Sequence, residues 1–289
     1  MKKKWLTAAV SLLLALLMLG GAALADGQSR IVYGKDLTDA QKDQVRKFFD
    51  VQENAVPTLT VTIDEEKAYL GKSVPAEKIG TRSLSSIYIE ATAEGTGLKV
   101  ETKNITWVSS DMYIAALTTA GINDANIKVT APVKVSGTAA LAGIYKAYED
   151  ITGEQLSTEA KQVAGDELAL TGDLNDFLGS DEATKLMGEL KAALEQIKGK
   201  SRDEVRALVV QTAKDNNVSL TDEQVDQITD LLIRMRDMNI DPATLLEQAR
   251  KFQALAQKMG EFQKTASGVG GWIANTWASV TNWFKSIFG

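Results

Sequence analysis

The sequence predicts an α+β chain: an N-terminal mixed α/β sheet domain, then an all-helical bundle, then a C-terminal amphipathic helix. Three observations predict it. In the first half, apolar residues recur at every second position in short runs, as at Leu59, Val61 and Ile63, the period of a half-buried strand. After Asp150-Ile151-Thr152-Gly153 these runs stop and helix-start signals follow one another. The C-terminal stretch is set apart by small residues and is rich in tryptophan. The resulting division is 1–25 signal peptide, 26–152 α/β domain, 153–266 helical domain and 267–289 aromatic tail.

Lys2, Lys3 and Lys4 precede the apolar run Leu6–Leu19, and Ala23-Leu24-Ala25 supplies a small-residue cleavage signal. The run is short for a spanning helix. Cleavage after Ala25 is therefore expected, with the mature chain secreted or retained in the cell envelope. Formal net charge is −6; without the three leading lysines, 29 basic residues face 38 acidic ones, or −9. An acidic chain argues against a nucleic-acid partner. The 289 residues hold no cysteine and no histidine. That excludes disulfides, thiol and histidine catalysis, and metal sites built on either side chain. No cofactor motif is present, and no catalytic residue is assigned.

Ile31–Tyr33 reads as a first strand. Thr38 with Gln41 is a capping box, and Leu37 is placed as a hydrophobic staple for a helix to Phe49. Leu59–Ile63 is a second strand, ended in solvent by the charge run Asp64-Glu65-Glu66. Glu65–Ser83 reads as a short helix and a long loop, punctuated by Gly71, Pro75 and Gly80. Ser86–Ala93 and Leu98–Ile105 alternate around Glu94-Gly95-Thr96-Gly97, which predicts a hairpin. Ser109 or Ser110 can cap a helix from Asp111 to Ala120.

Asn126–Tyr148 is a strand, a tight turn and a helix. Ile127 and Val129 alternate with polar neighbours, and Pro132 suits a strand end or an edge. From Thr138 the period changes: Leu141, Ile144, Tyr145 and Tyr148 share one helix face, beside a small-residue stripe of Ala140, Gly143 and Ala147. Ile79-Gly80-Thr81-Arg82, Ser85-Ser86 and the run Thr130–Glu149 resemble the YpuA-like family of secreted bacterial proteins, defined by a domain of unknown function. The resemblance spans nearly the whole mature chain. It implies a secreted protein built as one family unit and brings no activity, substrate or catalytic residue with it.

Ser157 can cap a helix to about Leu170, followed by a turn over Thr171–Gly179. Ser180 can cap a helix to Lys198, with Leu186, Leu190, Leu194 and Ile197 inward. Ser201 with Glu204 and Thr221 with Gln224 are two more capping boxes. Asp241-Pro242 opens a last bundle helix through Met259. The similar starts LTDAQKDQV and LTDEQVDQI reflect shared helix-start chemistry, since the match stops within three turns.

Candidate sites are few. Ser136-Gly137-Thr138 lies where a strand becomes a helix, so its amides could meet an anion. It fits no nucleotide-binding motif, and a cap with a glycine turn explains it equally. Arg82, in a loop beside Gly80, is a possible anion contact or an internal ion-pair partner. Asp173-Leu174-Asn175-Asp176 lacks the ligand and glycine spacing of a calcium loop, so no metal is assigned.

The tail carries the clearest signal. Behind the hinge Ser267–Gly271, one broad helical face collects Trp272, Ile273, Trp277, Val280, Trp283, Phe284, Ile287 and Phe288. It is too polar to span a bilayer and suits an interfacial helix. Membrane surface, envelope protein and its own bundle are the three partners open to it. The reading is a non-catalytic binding or structural module of the cell envelope. A carboxylate-dependent hydrolase of envelope polymer is the alternative.

Overall fold

The computed structural model of the chain describes residues 28–238. These fall into two compact units: residues up to Ile114 with Ile122–Ser157, and Ala115–Gly121 with the chain from Thr158.

The first unit is built on a five-stranded mixed sheet: β1 (Ser29–Gly34), β2 (Thr58–Val61), β3 (Ser86–Ala91), β4 (Leu98–Ile105) and β5 (Ala125–Val135). The spatial order is β2-β1-β3-β5-β4. β1 runs parallel to β2 and antiparallel to β3; β5 runs antiparallel to β3 and parallel to β4. This corrects the hairpin: β3 and β4 are joined by the glycine turn but do not pair. β5 lies between them because from Ala125 to Ala131 none of its side chains is exposed, being buried or half-buried throughout, whereas β4 exposes every second residue from Lys99 to Lys103 and suits an edge. Pro132 falls inside β5, not at its end. The ladder from β3 stops at Thr130, and β4 shifts register between Lys103 and Ile105, so no bond to the missing amide is required there.

One sheet face carries α1 (Asp39–Phe49), whose Val45 and Phe49 pack with Ile31, Tyr33 and Leu84. Leu37 is buried beside them, and Thr38 and Gln41 form the expected capping box. The other face carries α5 (Thr138–Thr152) across β1 and β3. Gly143 brings α5 close: a β-carbon there would sit 3.5 Å from Val32 and 3.6 Å from Ile87.

The segment after β2 is more helical than the sequence suggested. It forms α2 (Ile63–Leu70) and α3 (Ala76–Ile79), and α2 packs on α5. Thr62 and Glu65 make a further capping box. The charge run Asp64-Glu65-Glu66 therefore opens a helix; it does not end a strand in solvent, and Glu66 is wholly buried. α4 (Ser110–Thr119) begins where Ser109 Oγ accepts from the Met112 amide at 3.2 Å.

The second unit is helical: α6 (Thr158–Leu178), α7 (Ser180–Ala192), a 3-10 turn Leu194–Ile197, α8 (Arg202–Asp215) and α9 (Asp222–Asp237). The turn expected over Thr171–Gly179 is absent, because α6 continues to Leu178. Thr171 and Leu174 are buried on the face already used by Leu168, so packing outweighs the poor helix propensity of that stretch. α7 starts from Gly179 as N-cap. The boxes at Ser201 and Thr221 form as read. Inside this unit, Lys191 and Glu167 are buried together.

Candidate functional site

The turn from β5 to α5 is fixed from three sides. The Ser136 carbonyl accepts from the Trp107 and Val108 amides at 3.3 and 3.0 Å. Gly137 takes φ +102°, and a β-carbon on it would lie 2.5 Å from Ile105 Cγ2 and 2.6 Å from Tyr113 Oη. Only glycine meets both demands. Its carbonyl accepts from Tyr113 Oη at 2.5 Å.

Gly137, not Ser136, is the N-cap of α5, and no side chain caps the helix. The Ser136 and Thr138 hydroxyls are hydrogen-bonded at 3.1 Å, and Thr138 Oγ1 donates to the Lys78 carbonyl at 3.4 Å. Lys78 in turn holds its ammonium 4.9 Å over the Trp107 ring.

Glu66 completes the cluster. Capping at Thr62 sets the start of α2 and puts Glu66 one turn before Leu70, on the face turned inward. It is 0% exposed, and neither carboxylate oxygen makes a hydrogen bond of normal geometry. Burial pushes its pKa to about 7, with the Thr138 hydroxyl and the Lys67 charge pulling weakly the other way. Tyr113 is raised well above its ordinary value by burial and by the Glu66 charge. The neighbouring acid is different. Burial acts to raise Glu65, but Lys146 and the amide and hydroxyl of Thr62 outweigh it and hold that carboxyl low. Lys146 Nζ donates to Glu65 at 2.6 Å and to the Thr60 carbonyl at 2.8 Å.

The structure thus brings Ser136, Gly137 and Thr138 together with Glu66 and Tyr113. Arg82 is exposed, and no hydrogen bond or ion pair ties it to this group among the described residues. Trp272, Ile273, Trp277, Val280, Trp283, Phe284, Ile287 and Phe288 lie outside the described residues. Sequence reasoning missed Glu66. The signal was Thr62 followed three residues on by Glu65, the same box read correctly at Thr38, Ser201 and Thr221. Chemically the cluster can hold or release one proton on Glu66. Among the described residues no group of three or more acids gathers as a metal site.

A second feature is open to solvent. On the face that carries α1, a cleft of about 500 Å³ is lined by Phe49, Tyr88, Glu90, Lys99, Glu101 and Lys128, among others. The register aligns Tyr88, Lys128 and Glu101 in one row across β3, β5 and β4, and Glu90, Asn126 and Lys99 in the next. Lys128 Nζ donates to the Phe49 carbonyl at 3.0 Å, and Asn126 Nδ2 donates to Glu90 at 3.2 Å.

The architecture defines an α+β protein with a mixed-sheet unit and a helical unit. The chain belongs to the family described as "Protein of unknown function (DUF1002)", whose profile matches residues 33–252. It is 37% identical over 293 residues to "Uncharacterized protein YpuA" of Bacillus subtilis (strain 168), covering 100% of both chains. No solved structure matches it.

Proposed function

We propose that the chain is an exported, non-catalytic binding or structural module of the cell envelope, held at the membrane surface by residues 272–288. The observation that carries the non-catalytic reading is the burial of Glu66. Among the described residues, the acid displaced furthest toward neutrality is sealed from solvent, out of reach of a substrate. The cleft over β3, β5 and β4 supports a binding role, since it presents an aromatic ring among alternating acids and bases. Export rests on the lysine, leucine and Ala-x-Ala pattern at the N-terminus, and membrane attachment on the aromatic face of the tail.

The test is fractionation of cells into medium, wall and membrane, with the whole chain and with residues 267–289 removed. The whole chain is expected with the membrane and the shortened chain in the medium or wall. An unchanged distribution overturns the role of the tail.

Release of soluble fragments from purified wall material by the whole chain would overturn the non-catalytic reading in favour of a carboxylate-dependent hydrolase.

A further inference from the structure

We propose that Glu66, Thr138 and the Lys78 carbonyl form a proton-operated latch that ties residues 63–79 to the head of α5 when Glu66 is protonated and releases them when it is not. The argument begins with hydroxyl capacity. A threonine hydroxyl has one proton to give and two lone pairs to accept with. Thr138 Oγ1 has three neighbours: the Ser136 hydroxyl at 3.1 Å, the Lys78 carbonyl at 3.4 Å, and the Glu66 carboxyl. A protonated Glu66 satisfies all of them. Glu66 and Ser136 donate to Thr138, and Thr138 donates to Lys78. Three helices, α2, α5 and α3, are then joined by one directed chain.

Loss of the proton reverses it. An ionised Glu66 can only accept, so the single Thr138 proton is drawn to the carboxylate and the Lys78 carbonyl loses its donor. The carboxylate would still have one hydrogen bond in a site that excludes water, far short of what a buried charge requires.

The charged and titratable surroundings give no relief. Tyr113, the nearest group on α4, commits its hydroxyl proton to the Gly137 carbonyl. Lys146 on α5 binds Glu65 and the Thr60 carbonyl. The Lys78 ammonium on α3 lies over Trp107. Lys67 on α2 itself is exposed and acts only through its charge. The raised pKa of Glu66, about 7, places the change within the range a cell envelope can meet. Release would uncover Leu70, Val74 and Ile79, all buried in the latched form.

The experiment is amide hydrogen exchange of the full chain from pH 5 to pH 8, corrected for intrinsic exchange rates. Amides of residues 65–80 should lose protection as pH rises, by up to about tenfold per unit below neutrality. Those of α1 should not. Glu66→Gln, whose amide can donate to Thr138 at any pH, should stay protected throughout. Thr138→Val, with Glu66 intact, should show low protection in this segment even at pH 5. A flat profile in the unmodified chain, or the same slope in Glu66→Gln, overturns the latch. Because no envelope fraction or polymer enters the measurement, its failure leaves the proposed function standing.

Discussion

The Lys191 ammonium lies 2.8 Å from the Glu167 carboxylate, with side chains only 7% and 1% exposed. Lys191 also donates to Thr119 Oγ1 and to the Ala115 carbonyl, at 2.8 and 2.9 Å, and Thr119 donates to Glu167 at 2.5 Å. Every charge in this group has a neutralising or hydrogen-bonding neighbour. Such a pair contributes little net stability while intact, but breaking it strands a charge. Lys191→Met should destabilise the helical unit by about 3–5 kcal/mol in urea unfolding. Adding Glu167→Gln should recover much of that loss. Additive losses would show that the two side chains do not act as a pair.

Gly137 and Gly143 are both closely approached glycines of the β5 to α5 unit, and alanine should separate them. At Gly137 the positive φ and the 2.5 Å approach to Ile105 both oppose a side chain. Gly137→Ala should cost about 2–4 kcal/mol. Gly143 is helical, and its added carbon meets Val32 and Ile87 at ordinary contact distance. Gly143→Ala should therefore stabilise by about 0.5–1 kcal/mol through helix propensity. Thermal melts of the two variants check both signs.

Glu66 makes stability depend on pH in an unusual direction for an acid. The folded chain keeps its proton up to about pH 7, against an ordinary value of 4.5. Between those limits the folded state binds more protons than the unfolded one. The contribution is therefore fully present below pH 4.5 and is lost as pH rises toward 7, at up to about 1.4 kcal/mol per unit. Glu66→Met should flatten this slope and leave the variant the more stable of the two at pH 8, where Glu66 of the unmodified chain is ionised. Denaturant midpoints at pH 5 and pH 8 measure it.

For the tail, replacing Trp277 and Phe284 by Glu should abolish binding to lipid vesicles while leaving the melting of the remaining chain unchanged. Lys285 is the single charge between Trp272 and Phe288, so added salt should weaken binding only slightly. Tryptophan fluorescence with neutral and anionic vesicles reads both. A blue shift with neither kind would assign the aromatic face to another partner.

What the sequence made legible was local. The boxes at Thr38, Ser201 and Thr221 close within four residues, and each opens the helix expected of it. The β5 to α5 unit was readable because its period changes at Gly137. What escaped was set by distant partners. The order of β3, β5 and β4 depends on which strand is the better covered, and a two-glycine turn says nothing about that. Glu66 looked like one of three solvated acids because its burial is made by α5 and α4, which come much later in the chain. Phe177 shows the converse: an aromatic residue in an apolar patch that ends 59% exposed.

The strand order also governs how the sheet can assemble. β5 is the last strand made, yet it occupies the slot between β3 and β4. Until residue 135 has emerged, β3 has one open edge and β4 has no neighbour in the sheet at all. Long-range closure of this kind is slow and leaves strand edges exposed to other chains. Synthesis from the N-terminus therefore cannot complete this sheet until nearly half the chain has been made, and the strands before Ala125 must wait without a finished template.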